Sequence, residues 1–300
     1  MKRFSFGTAL VAILVGLPGC GSDDKPFTQT KTSSLEDPEN VRTWANAASA
    51  YAVYGNVYQL FAIADGDQHF VDPTCPVVED DGTTLTATGG CEATDGSTWV
   101  GSAEVVRSAD GDRALTLSDF GSNDDVTQGD AHLRVVADTI TDFDMNLTRT
   151  GGIVTTIEYD GRVEGSYGTP TIWNGSGTLT RDGLVAPNGS VDVTTTDEVV
   201  DNDVCSGQPV SGNTTIHNEA DQTVVVTYDG AVDCDDEEAA NWSLDGEPQG
   251  KITGIACSLG RGSAGGPGSA WLALGAALAL AGARARRRTT SRIETNLGSI

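Results

Sequence analysis

Carboxylates are the reactive groups this chain has in quantity. They gather at Asp65/Asp67, Asp110/Asp112, Asp119/Asp124/Asp125/Asp130, through 197–203, and at Asp233/Asp235/Asp236/Glu237/Glu238. Paired acids on facing loops are what glycoside hydrolysis requires, and acidic loops supply oxygen ligands that calcium takes in sets of about six to eight. Neither chemistry finds its spacing, because no run carries the Asp-x-[Asp/Asn]-x-[Asp/Asn]-Gly order of a calcium loop. Asp and Gly between strands are in any case what hairpins need. The three histidines, His69, His132 and His217, sit in separate segments, and none belongs to a His-Glu-x-x-His pattern. Ser176 and Ser263 lack the first glycine of a Gly-x-Ser-x-Gly elbow. Gly260, Gly262 and Gly265 have the spacing of a dinucleotide loop, without the strand and helix that would make one. The expectation is a protein with no catalytic residue, no metal ligand set and no cofactor, calcium being the one ion its composition would admit. A calcium-dependent or acid-pair hydrolase would need carboxylates from different loops to converge in one cleft.

The elements that would position any site are short strands. From residue 66 onward, runs rich in Val, Thr and Ile alternate with Asp-Gly, Asn-Gly and Gly-Gly pairs about ten residues apart. Strands are expected near 83–87, 98–106, 114–118, 132–137, 143–148, 153–159, 161–165, 171–180, 190–196, 210–217, 223–228 and 251–256. No helix-length segment separates them, which points to antiparallel connections. Before them, Asp37-Pro38 supplies a helix cap and first position, with Glu39 in the first turn where the dipole favours an acid. Apolar residues then recur at three- and four-residue steps to about Ala64, so one helix is expected over 38–64. Its rings at Trp44, Tyr51, Tyr54, Tyr58 and Phe61 either face the core or line a hydrophobic groove against the sheet. The fold class is mainly β: an antiparallel sandwich, or a curled and partly open barrel, with one N-terminal covering helix. Trp99-x-Gly101-Ser102 with Val105 and Arg107 recurs 74 residues later as Trp173-x-Gly175-Ser176 with Leu179 and Arg181. Duplication and chance recurrence both account for the match.

Charge narrows the partners. Of 43 acidic and 18 basic residues, 42 acids but only ten bases lie within 21–256, which leaves that part near −32. Such a surface repels phosphate backbones and anionic lipid headgroups, so no nucleic-acid partner is expected.

The two ends read as addresses. Lys2 and Arg3, the apolar run 4–17, and Leu17-Pro18-Gly19-Cys20 have the charge, length and small-residue pattern of an export signal. Leu-Pro-Gly-Cys resembles the lipobox of bacterial lipoproteins, which implies that Cys20 becomes the lipidated first residue of the mature chain and fixes it to a membrane. Residues 21–37 are polar without a hydrophobic period and read as a flexible tether. At the other end come Cys257, a Gly/Ser-rich spacer, an Ala/Leu-rich apolar run through 270–281, and Arg284, Arg286, Arg287 and Arg288. The 22 uncharged residues between Arg261 and Arg284 would reach roughly 33 Å as a helix, enough for a membrane span. This order of parts resembles the MYXO-CTERM sorting domain of myxobacteria. That resemblance implies a processing protease acting near Cys257, removal of the span, and delivery to the cell surface. An ordinary single-span anchor is the other reading of the same residues.

With Cys20 and Cys257 assigned to the two ends, Cys75, Cys91, Cys205 and Cys234 remain of six cysteines. Thiols of an exported protein pair, and the local connectivity among three is Cys75 with Cys91 and Cys205 with Cys234. The organisation expected is therefore a signal over 1–20, the tether 21–37, a β-rich domain 38–256, a sorting or transmembrane segment 257–288 and a basic polar tail 289–300. The expected role is a non-enzymatic binding or structural module on a lipoprotein of the cell envelope, at the outer membrane or cell surface. The alternative is a carrier or sensor that holds a lipid or other hydrophobic ligand between the Tyr/Trp-rich helix and the sheet.

Overall fold

The computed structural model describes residues 34–165, 170–184, 186–201, 204, 209–229 and 240–252. Cys20, Cys205, Cys234 and Cys257, the segment expected as an export signal and the expected C-terminal sorting segment lie outside the described residues.

Two helices precede the sheet, α1 (Pro38–Ala48) and α2 (Ala50–Ala64). The Asp37 carboxylate accepts the Glu39 amide at 3.0 Å and starts α1 as its sequence predicts. The single helix expected over 38–64 is instead broken at Ser49, whose ψ of 136° leaves the helical region. The break is stabilised from both sides. The Ser49 hydroxyl accepts the Ala52 amide at 3.1 Å, and Glu198, far along the chain, accepts the Ala50 amide at 2.9 Å.

Fourteen strands follow: β1 (Val77–Asp80), β2 (Thr84–Thr88), β3 (Cys91–Glu92), β4 (Thr98–Arg107), β5 (Arg113–Ser122), β6 (Asp125–Ala137) and β7 (Ile140–Thr150), then β8 (Ile153–Glu164), β9 (Thr171–Gly183), β10 (Gly189–Val200), β11 (Pro209–Asn218), β12 (Thr223–Asp229), β13 (Ala240–Leu244) and β14 (Glu247–Ile252). They form one antiparallel sheet in which each strand pairs with its successor in sequence, apart from β3, which lies beside β4 while β2 also pairs with β4. Among the described strands, β1 and β14 do not pair with each other, so the sheet curls without closing. The two runs expected at 153–159 and 161–165 are one strand, and β1, β3 and β13 were not foreseen.

The inner face is built as rungs. Leu133, Phe143, Gly161, Gly175, Thr195, Thr214, Val226 and Trp242 are successive cross-strand partners from β6 to β13. Alternation puts these positions inside and their neighbours in solvent. The two glycines in this rung are spatial requirements: a Cβ on Gly161 would sit 2.2 Å from the Phe143 ring, and one on Gly175 would sit 2.5 Å from the Tyr159 ring. The rings of Phe143 and Tyr159 lie nearly parallel, 6.1 Å apart, over the space those glycines leave. Both helices lie against this face. α2 meets β4, β5, β8, β9 and β10, and α1 meets β10 and β11. Val41, Trp44, Val53, Val57 and Phe61 are buried there with the inward strand residues in one core, and burial of each large side chain contributes about 1.5–3 kcal/mol.

Cys75 and Cys91 form a disulfide, the local pairing expected from the sequence, which ties the segment after α2 to β3. The two copies of the Trp-x-Gly-Ser repeat lie on β4 and β9. In both copies the repeat strand (β4 or β9) pairs with the next strand through a register slip at an aspartate of left-handed backbone, Asp119 and Asp197, each with φ 49°. The slips do not fall at equivalent places, since the first skips Gly101 and the second Asn174, and Asp119 and Asp197 lie 78 residues apart against 74 for the repeat.

Candidate functional site

α2 presents two different faces to the sheet. Tyr51, Tyr54, Tyr58 and Phe61 recur along one face, and Gly55, Asn56, Gln59 and Leu60 along the adjoining one. The first face is packed. The Tyr51 and Tyr54 rings each lie 5.3 Å from Trp173, and Tyr54 also lies 5.3 Å from Phe143 and 5.9 Å from Tyr58. Burial pushes the Tyr54 hydroxyl well above the ordinary phenol range. Trp44 and Phe61 are also buried, and the Arg181 guanidinium stacks over the Trp44 ring at 5.8 Å. The rings expected to line a hydrophobic groove thus face the sheet and fill the space against it with one another.

Beside the second face is a half-enclosed cavity of about 120 Å³ between α2 and strands β5 to β8. Its apolar walls are Leu60, Leu117, Phe120, Leu147 and Ile157. Its polar walls are Asn56, Gln59, Ser122, Thr127 and Thr155. Gly55 and Gly121 also line it, and neither has a side chain to fill it. Gly121 is dictated by the β5–β6 hairpin, since a Cβ there would come within 2.0 Å of the Asp125 carbonyl oxygen. The slip between Leu117 and Phe120, at the Asp119 bulge, bends β5 at the same place.

Two features set the chemistry of this cavity. The Asn56 amide folds back onto its own helix, donating to the Val53 carbonyl at 2.8 Å and the Ala52 carbonyl at 3.3 Å. The Gln59 Oε1 atom, by contrast, is buried with no hydrogen-bond partner, a state that costs about 1–3 kcal/mol when nothing answers it. The charges of the lining are Asp125 and Arg149, and they are bound to each other: Arg149 Nε donates to Asp125 Oδ1 at 2.7 Å, and its Nη2 donates to Oδ2. The pair raises the Arg149 guanidinium above its ordinary value, so it stays charged and engaged. The cavity can therefore enclose an apolar body, with no general acid and base facing each other across it.

A separate polar network lies where α1 meets α2. Glu198 is fully buried beside the β10 bulge, and burial pushes its carboxyl up to about 7. The Ser49 hydroxyl and the Tyr51 and Ala50 amides offset that burial only in part, and Oε1 has no partner of good geometry. The Thr195 hydroxyl donates to the Ala48 carbonyl at 3.3 Å and accepts from the Ala50 amide at 3.2 Å. Tyr159 reaches that hydroxyl at 3.4 Å. These groups satisfy the broken helix backbone, which is a structural use of a carboxylate that the acidic run 197–203 conceals.

Among the described residues, several other acidic groups are held in turns or in ion pairs. Asp80 pairs with Arg107, Asp65 with Arg113, Asp142 with Arg162, and Asp144 with both His132 and Arg134. His69 is exposed, and His217 sits on β11 with Thr223 at 3.0 Å. A shallow polar hollow on the outer face holds Asp192, His217, Glu219 and Asp221. Among the described residues, no three His, Cys, Asp or Glu side chains converge so as to hold a metal ion, and no helix is long and apolar enough to cross a membrane. Neither a family model, nor a curated protein, nor a solved structure matches this chain.

Proposed function

We propose that this chain is an exported lipoprotein of the cell envelope whose β module is a non-enzymatic binding protein for a small, largely apolar ligand. The observation that carries the reading is the cavity between α2 and β5 to β8, walled by five apolar side chains and about 120 Å³ in volume. Ligand sites of this kind are concave, mostly apolar and provided with a few placed polar groups. The carboxylate of the lining is engaged by Arg149, which favours holding a molecule over transforming it. The terminal motifs supply the location: lipid on Cys20 for attachment and processing near Cys257 for delivery to the surface, consistent with a strongly acidic body that would not itself adhere to anionic membranes.

The test of binding is thermal. Ring-sized apolar compounds at about a hundred times their dissociation constant raise stability by about 2.7 kcal/mol, so the full-length chain in lipid nanodiscs melts several degrees higher with them. In an Ile157→Phe variant, whose larger ring occupies the cavity, the compounds leave the melting temperature unchanged. An equal rise in both proteins defeats the reading, as does no rise in either. Mass spectrometry of the protein from native membranes tests the location separately. Acyl groups on Cys20 and a mature C-terminus near Cys257 are expected, and recovery of intact Ile300 in the surface fraction refutes processing.

A further inference from the structure

We infer that the ligand is a small monocarboxylic acid, its apolar body in the cavity against Leu147 and Ile157 and its carboxylate held at the mouth by Arg181. The inference rests on the binding-module reading and names the ligand class for the same site.

The placement of Arg181 comes from the sheet register. Leu147, Ile157 and Leu179 form one inward rung, and the next rung toward the hairpin ends is Thr127, Arg149, Thr155 and Arg181 on β6 to β9. Thr127, Arg149 and Thr155 line the cavity, and the Arg149 side chain is 45% exposed, so this rung is the mouth. Arg181 stands one strand beyond the lining, opposite Thr155, which puts the two Cα atoms about 4.5–5.5 Å apart. Its charge is unanswered. Arg42, Arg107, Arg113, Arg134, Arg149 and Arg162 each pair with an acid, and among the described residues Arg181 is the one arginine that does not. In a body where acids outnumber bases about fourfold, that is the position from which carboxylates are kept away. The Trp44 ring holds the guanidinium from one side at 5.8 Å. Half-burial pulls it below the ordinary arginine value, and no acid offsets that burial. A ligand carboxylate would supply the missing partner in the bidentate form that arginine favours. The acidic body disfavours each further negative charge, so one carboxylate fits better than a phosphate ester. About 120 Å³, against roughly 150 Å³ for an engineered cavity that accepts benzene, limits the body to a ring or a short branched chain.

The test titrates 3-phenylpropanoate, its uncharged amide and ethylbenzene into the full-length chain in zwitterionic nanodiscs, read at the methyl resonances of Leu147 and Ile157. The acid is expected to bind roughly five- to tenfold more tightly than the amide, the advantage of a charge-assisted over a neutral hydrogen bond. Arg181→Met abolishes that ratio, and retained ethylbenzene binding shows that the variant is folded. If it binds no ring, Arg181→Lys decides, since a charge without the planar fork is expected to lower the ratio. Amide binding as tightly as acid in the native chain, or a ratio unchanged in the deciding variant, overturns the assignment of the acid and leaves the binding module standing. If none of the three compounds shifts those methyls, both fall.

Discussion

Glu198 contributes stability that is lost as pH rises, against the usual behaviour of a carboxylate. Its folded-state value is about 7, against an ordinary 4.5, and the main cause is complete burial. Below about pH 4.5 the proton is held in both folded and unfolded chains, and above about 7 in neither. Between those limits only the folded chain holds it, so stability is lost as pH rises through the window. At about 1.36 kcal/mol per pH unit, the loss attributable to this residue is about 3 kcal/mol. The titratable groups around it, Tyr51, Tyr159 and Tyr228, are themselves raised above the phenol range and stay neutral throughout. Urea unfolding followed by tryptophan fluorescence between pH 4 and 8, on the native chain and on Glu198→Gln, isolates the effect, because every other carboxylate is common to both. The Gln variant, which keeps an acceptor for the Ala50 amide, is expected to gain about 3 kcal/mol relative to the native chain from pH 4.5 to 8. Parallel curves for the two proteins would refute the reasoning and place Glu198 in contact with water.

Other perturbations follow from the same structure. Replacing both Cys75 and Cys91 by Ser opens a loop of sequence separation 16 and is expected to cost about 3 kcal/mol in the same unfolding assay on the chain-entropy model. Gly161→Ala drives a methyl into the Phe143 ring and should destabilise by about 1–3 kcal/mol. Adding Phe143→Leu should restore part of that loss, and additive effects of the two changes would show that they do not touch.

Much of the sheet is written locally. Alternation such as Val224, Val226 and Tyr228 inside with Thr223, Val225 and Thr227 between them is enough to place a strand and its faces, and the Asp and Gly pairs between runs place the turns. Much of what escaped depends on partners distant in sequence. The three- and four-residue apolar period runs straight across Ser49, and the break becomes intelligible only with Glu198, which is 148 positions from Ala50. Glu198 itself sits in an acidic run that reads as solvated. β1 is exposed along its whole length and so shows no alternation. The cavity was the least legible feature, because it arises where side chains are missing, at Gly55 and Gly121, and register brings these together. The one local hint was the pair of amides, Asn56 and Gln59, interrupting a helix that is otherwise strongly apolar. The aromatic residues of α2 stood out by type, but their size lets them fill space against the sheet.

The meander has a consequence for how the chain acquires its shape. Because each strand bonds to its neighbour in sequence, the sheet can grow by successive short loop closures, the inexpensive kind in entropy. The helices, however, come first in the chain, while the groups that cap their break, Thr195 and Glu198, come on the tenth strand. A nascent chain therefore carries an apolar α2 without its wall until most of the sheet exists. The curling of the sheet around that helix is what gives it an inside, while β1 and β14 remain its edges.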